Sequence, residues 1–328
     1  MPTVNLDREL LLSFIMIGLI ILWLSSLFLH PMQSYWWEQI MTIVTVPIYA
    51  VTILTEIILS NILQRKLYDT RDTLNNFLMT ILNTSLDVLM RGVFIACMAW
   101  AFQFRFVNWS EHGWLYWLLV MILADLTYWF VHWMSHMVRF FWAVHTVHHS
   151  SEKYNITVGF RSSVFEPLYR GFFFLPLAFL GFEAADVVLA FSIQQLYGSL
   201  VHTELLRRIP GWDWIFVSPS HHAVHHASNP RYLDKNMGMI FIVWDKLFGT
   251  FEPEDDHYSK IRYGLTSNLN THNPAVVLFK EWGQMIQDVK TAPGLKNKLM
   301  YIFGPPGWSH DGSRKTSVQL RQEENTGF

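Results

Sequence analysis

Fifteen of the 328 residues are histidine, and eight of these fall into three short boxes. HWMSH holds His132 and His136. HTVHH holds His145, His148 and His149. HAVHH holds His222, His225 and His226 and is preceded by His221. Residues 132–149 carry five histidines, where the average density of 15 in 328 predicts about one. On a helix, spacings of three and four put side chains on one face, so each box can aim two or three imidazoles at one point. A lone histidine is most often a core or surface residue, but three boxes with matched spacing form a metal-ligand pattern. Eight ligands suffice for two metal ions with positions left open for a substrate or oxygen. His202, at the end of an apolar stretch, and His221 extend the candidate set to ten. His30, His112, His257, His272 and His310 lie outside it.

Imidazole suits iron, zinc, copper and nickel. The boxes offer no Glu-x-x-His of the kind soluble di-iron bundles use. An all-histidine pair at a membrane surface favours a redox metal that handles oxygen, with zinc as an alternative occupant. Ligating histidines need acceptors that fix their tautomer. Asp125, two turns before His132, is one candidate, and Glu204, Asp234, Asn236 and Asp245 are others.

The elements that position these residues are apolar. Charged residues make up 15% of the chain against roughly 25% in a soluble domain, hydrophobic residues reach 51%, and there are 25 Phe, 15 Trp and 12 Tyr. A net charge of −2 gives no drive toward nucleic acid, and the single Cys97 allows no internal disulfide. Leu10 to Leu29 carries no charge and is long enough to cross about 30 Å of hydrocarbon. Further apolar stretches run from Ile40 to Leu63, Phe77 to Ala101 and Trp114 to Met134. Glu56, Asp87, Arg91 and Asp125 within them are expected to face the protein interior. Leu168 to Phe182 and Ala184 to Val201, joined near Gly181, read as a hairpin that dips into the membrane and returns. The placement of Arg8, Arg65, Lys66, Arg71 and Arg139 puts the N-terminus, the second loop and everything after the fourth span in the cytosol.

The expected fold is thus an all-α integral membrane protein with about four transmembrane helices, a re-entrant helical hairpin and a cytosolic helical cap holding a histidine-rich di-metal site. The expected organisation is N-terminal transmembrane helices over 1–110, a catalytic region over 111–255 and a C-terminal region over 256–328 with a disordered charged tail. Lys153 and Arg161 are candidate contacts for an anionic donor or headgroup, or else cytosolic anchors.

The boxes and their surroundings resemble the fatty acid hydroxylase superfamily, also called the sterol desaturase family. The resemblance rests on AVHTVHHSSEKYN (143–155), VHTE (201–204), SPSHHAVHHASNPRYLDKNMG (218–238) and IVWDKLFGTFEPE (242–254), with RYGL (262–265) and GPPGW (304–308) further on. Within the family these segments are most similar to the branch that cleaves alkylglycerol ether lipids. The resemblance implies a di-iron membrane mono-oxygenase that hydroxylates a lipid C–H bond. It implies His132, His136, His145, His148, His149, His222, His225 and His226 as iron ligands, joined by His202 and His221. It implies dioxygen as co-substrate and an external electron donor, tetrahydrobiopterin in the ether-lipid branch. Trp133 stands where many members have Arg, and Met137 where the animal ether-lipid enzymes have Glu. Hydroxylation or desaturation of another lipid (a sterol, carotenoid, fatty acyl chain or amino-lipid) is the alternative within the family. A zinc-dependent membrane hydrolase would call for an HExxH-like base, and none is present. A metal transporter would call for ionisable residues continuing through the membrane. Both a bacterial inner membrane and the endoplasmic reticulum suit the pattern.

Overall fold

The computed structural model describes residues 34–326. The expected helix Leu10–Leu29, Arg8 and His30 lie outside them. The regular structure of the described residues is helical, with two isolated bridges, Phe216 to Phe241 and Ala227 to Tyr263, in place of a sheet. Among the described residues, three helices are long and apolar enough to cross a membrane: α1 (Ser34–Ile62, spanning from Ile43), α2 (Thr70–Phe102) and α3 (Trp114–Met137). Val46, Val51, Leu54, Ile58, Ile81, Val88 and Leu89 stand exposed on α1 and α2. Such faces suit lipid rather than water.

Val138 is extended (φ −119°, ψ 117°) and breaks α3 from α4 (Arg139–His149), so the chain turns back on itself between the first and second boxes. The apolar stretch at 168–182 is not one helix. It runs as short 3-10 turns to Phe174 and then α5 (Leu175–Phe179), before α6 (Ala184–Leu200). Gly181 makes the turn between α5 and α6 at φ +84°, and a Cβ there would meet the Val107 carbonyl oxygen at 2.2 Å. The third box forms α7 (Pro219–His225), followed by α8 (Val243–Phe248), α9 (Pro274–Thr291), α10 (Gly294–Phe303) and α11 (Ser317–Thr326). The tail expected to be disordered is therefore helical at α11, where Arg321 donates to the Leu233 carbonyl at 2.5 Å.

Met98, Val120, Ala124, Leu189, Ala190 and Ile193 pack α2, α3 and α6 together. Hydrophobic association between helices is weak in lipid, so polar ties carry more of the specificity. One face of α2 supplies them. Asn76 donates to Thr157 Oγ1 (3.0 Å), Thr80 to the Phe160 carbonyl (2.8 Å) and Asn83 to the Ser163 carbonyl (2.7 Å). One turn earlier, Asp72 accepts from Arg161 (3.1 Å) and Ser151 (2.6 Å). This stripe clamps residues 151–163 against α2.

The ionisable groups in the spans divide. Glu56 is buried and accepts from Tyr68, from the Ile156 amide and from Thr203, beside His202. Asp125 is buried and accepts from the amides of Ile240 and Phe241 and from Trp244. Asp87 and Arg91, both half-buried, pair with each other at 3.0 Å and line a cleft between the helices. Trp214, Ile215, Leu247 and Phe248 form an exposed apolar edge around α8. An interfacial membrane seat suits such an edge.

Candidate metal centre

Nine histidines converge into two adjacent groups. His132 and His136 from α3, His145 and His149 from α4, and His225 from α7 offer nitrogens that all lie within 4.8 Å of one another. His148, His202, His222 and His226 form a second group by the same measure. The boxes are therefore split. On α4 the i,i+4 pair His145/His149 serves the first group while His148 turns to the second. Around α7 the i,i+4 pair His222/His226 serves the second group while His225 turns to the first. The His149 and His226 rings, one from each group, stack at 4.5 Å.

The rings are oriented from behind. Nδ1–H groups donate to the carbonyls of Met237 (from His132, 2.7 Å), Arg161 (from His148, 3.2 Å), Gly198 (from His202, 2.6 Å) and Lys235 (from His225, 2.9 Å). His136 Nδ1 pairs with the Asp234 carboxylate at 3.2 Å. A ring that donates through Nδ1 presents a lone pair at Nε2. Residues 234–237 hold three of the five rings of the first group. Asp234 and Asn236 there adopt φ of +53° and +56°, a left-handed conformation that Asn and Asp tolerate best among non-glycine residues.

The inward nitrogens cannot satisfy one another. His202 Nε2 lies 2.9, 3.1 and 3.3 Å from the Nε2 atoms of His222, His226 and His148. His145 Nε2 lies 3.0 and 3.2 Å from those of His132 and His149. One ring nitrogen carries one proton or one lone pair, so a cluster of this kind lacks donors. His136 Nε2 and His225 Nε2 are buried without any partner. Burial, reinforced by neighbouring imidazoles, pushes His145, His149, His222, His225 and His226 well below the usual histidine pKa. Burial alone takes His202 to about 4. These six rings are thus neutral, with lone pairs aimed at common centres, and the full donor set fits two cations of the kind imidazole binds.

His221 does not join them. It faces the other way, forms a capping box with Ser218 at the start of α7 and packs edge-on to Phe251. His112, His257, His272 and His310 also stay outside both groups. Among the candidate acceptors Asp234 alone meets a ring. Asp125 and Asp245 pin the 237–245 segment instead, with Asp245 accepting the Met237 and Gly238 amides at 2.7 Å each. Asn236 braces that segment by donating to the His221 and Glu252 carbonyls. Glu204 meets the Tyr263 hydroxyl. Arg161 is buried, bonded to Asp72, Asn76, Ser150 and the Val147 carbonyl, and so is a structural pin rather than a donor contact. Lys153 reaches the Lys66 carbonyl on the α1–α2 loop. The polar stripe on α2 went unread in the sequence, although Asp72, Asn76, Thr80 and Asn83 recur at helical spacing on an otherwise apolar helix.

Two cavities reach the histidines, and a cleft adjoins the smaller of them. One of about 550 Å³ is lined by His136, His149 and His225 together with polar residues of α9 and the C-terminal segment. One of about 30 Å³ touches His132, His145, His148, His202 and His222. A cleft of about 350 Å³ lies between α1, α2 and α6.

Comparison with known proteins agrees with this geometry. Residues 117–250, which include all nine converging histidines, match the Fatty acid hydroxylase family. The chain is 37% identical over 242 residues to Alkylglycerol monooxygenase of Xenopus tropicalis, covering 72% of this chain and 52% of that protein. It is 38% identical to Alkylglycerol monooxygenase of Homo sapiens, over 63% of this chain and 45% of that one. It is 25% identical to Ornithine lipid hydroxylase OlsE of Rhizobium tropici, over 41% of each. The chain spans about half the length of the alkylglycerol monooxygenases it matches. No solved structure matches it. Nine inward imidazoles and three membrane-length helices among the described residues coincide with this match, in which residues 117–250 are similar to the fatty acid hydroxylase family.

Proposed function

We propose that the protein is a membrane-bound di-iron mono-oxygenase that hydroxylates a lipid C–H bond, with alkylglycerol ether lipids as substrate. The observation that carries this reading is the pair of adjacent all-histidine groups, set at the end of α3 in a fatty acid hydroxylase domain. His132, His136, His145, His149 and His225 hold one iron, and His148, His202, His222 and His226 the other. Iron held there supplies the redox chemistry that places one atom of dioxygen in a C–H bond, the other leaving as water with two electrons and two protons from outside. Hydroxylation beside the ether oxygen gives a hemiacetal, which collapses to an aldehyde and a glycerol derivative.

The protein's own contribution is orientation and exclusion of water. Backbone carbonyls and Asp234 hold the rings, and burial of all nine histidines but the half-buried His145 and His148 keeps bulk solvent from the reaction. The 550 Å³ cavity opens on the first group from the polar side, which suits entry of a small reductant such as tetrahydrobiopterin. The chain sits as a multi-pass protein with the α5–α6 segment as a re-entrant hairpin and the histidines on the cytosolic face, in a bacterial inner membrane or endoplasmic reticulum. Similarity to an ornithine lipid hydroxylase supports a second reading, an amino-lipid or other lipid as substrate for the same chemistry.

Metal content and oxygen-dependent turnover test the proposal together. Two irons per chain and aldehyde formed from an alkylglycerol with tetrahydrobiopterin, in air but not under argon, is the expected result. Two irons with oxygen uptake on another lipid moves the substrate to the second reading. Stoichiometric zinc after iron reconstitution, with no oxygen uptake, overturns the redox mechanism in favour of a hydrolase.

A further inference from the structure

The cleft between α1, α2 and α6 leads from the lipid-facing surface toward the histidines. Met41, Val46, Phe94, Val188 and Phe191 make most of it apolar, and Val46 stands exposed at its edge. Two side chains line both this cleft and the 30 Å³ cavity beside the metal centre: Arg170 and Gln195. Arg170 is engaged, with Glu166 at 3.2 Å and Asp87 at 3.7 Å. Gln195 is not, for its Oε1 is buried without a hydrogen-bond partner. Buried carboxamides are normally satisfied, and an unpaired one costs free energy that a ligand can recover.

The chemistry of the seam narrows the ligand. A carboxamide oxygen accepts a hydrogen bond, so its partner must carry a proton; ether, ester and phosphate-diester oxygens carry none. Arg170 and Arg91, which also lines the cleft, are matched by Asp87 and Glu166, so the seam carries no surplus positive charge to hold an anion. A cavity of about 30 Å³ admits a water-sized group and not a chain. We propose that a membrane lipid enters sideways through this cleft and that Gln195 accepts a hydrogen bond from a free hydroxyl a few bonds from the reacting carbon, which makes it a specificity residue for hydroxyl-bearing lipids. The inference rests on the lipid hydroxylase reading and names the substrate feature that reading leaves open.

Equilibrium binding to the purified iron-loaded protein in detergent tests it, with a 1-O-alkylglycerol and its 2,3-di-O-methyl ether as probes. The wild type is expected to bind the free hydroxyl roughly tenfold more tightly than the methyl ether, the value of one neutral hydrogen bond. Gln195→Leu should bind both alike with unchanged metal content, and Gln195→Glu, which keeps an acceptor, should retain the preference. Val46→Trp, at an exposed position, should weaken both lipids by narrowing the cleft. Equal binding of the two probes by the wild type, a preference that survives Gln195→Leu, or undiminished binding by Val46→Trp would overturn the assignment. A preference that Gln195→Leu abolishes, in a protein that oxidises neither probe, upholds the binding site and counts against the hydroxylase reading instead.

Discussion

At the scale of single residues, two adjacent histidines of the third box have opposite fates. His222 and His221 differ by about 100° of helix rotation. His222 Nε2 comes within 2.9 Å of His202 Nε2, whereas His221 closes the cap of α7 with Ser218. His222→Ala should therefore lower metal content toward one iron per chain and abolish turnover. His221→Ala should keep both irons and lower stability by about 1 kcal/mol, the usual value of a helix cap. Iron counting and thermal unfolding of the two variants separate these outcomes, and loss of iron from the His221 variant would contradict the geometry. Among the described residues Asp234 is the carboxylate that pairs with a ring of the two groups, at 3.2 Å from His136 Nδ1. Asp234→Asn should weaken iron binding at the first group about 10- to 100-fold, read by chelator competition. The boxes themselves were legible because their spacing is local. Their division into groups of five and four was not, because it depends on how α4 and α7 cross. Nor was the choice of Asp234 over Asp125, since Asp125 lies on the histidine face of α3 but is taken by the amides of Ile240 and Phe241.

At the scale of elements, the second box reaches its place through α2. His148 leans on the Arg161 carbonyl, and Arg161 is fixed in turn by Asp72 and Asn76. Both members of the Asp72–Arg161 pair are buried. Removing one partner of a buried ion pair strands the other charge, at a cost of about 3–5 kcal/mol. Asp72→Ala should thus lower the unfolding midpoint markedly and disturb the second metal group although it touches no histidine. Lys153→Ala, where the amine only reaches a loop carbonyl, should be close to neutral. A small effect of Asp72→Ala on both stability and iron content would count against the clamp. The spans α1 to α3 could be read from apolar length, but the 168–182 stretch could not be resolved into turns and α5, since composition does not distinguish a continuous helix from one broken by 3-10 segments. The helical α11 was masked by its charge, for its order comes from tertiary contacts such as Arg321 with Leu233.

At the scale of the whole molecule, a polar and an apolar cavity lie against different elements of the fold. The cleft between α1, α2 and α6 faces the exposed apolar surface, and the 550 Å³ cavity is walled by α9 and the C-terminal segment. Arg139 ties that wall to the end of α3 through Glu281 (2.7 Å) and Asp288 (2.6 Å), so the polar side is anchored to the same helix junction that carries the first two boxes. A low charge content of 15% announced a membrane protein, but it carried no information about which cavity faces which phase. Helix length does. The 24 residues of α3 rise about 36 Å, enough to cross the hydrocarbon, with His132 and His136 near one end and Trp114 at the other. A spanning α3 puts the loop before Trp114 and the histidine end on opposite sides of the bilayer. Glu111 and Glu152 are both exposed and mark those two ends. In a Cys97→Ala background, Glu111→Cys and Glu152→Cys should react with a membrane-impermeant maleimide from opposite sides of sealed vesicles, with Glu152→Cys labelled from the cytosolic side. Labelling of both from one side would mean that α3 does not span, and would place the lipid cleft and the polar cavity in contact with the same phase.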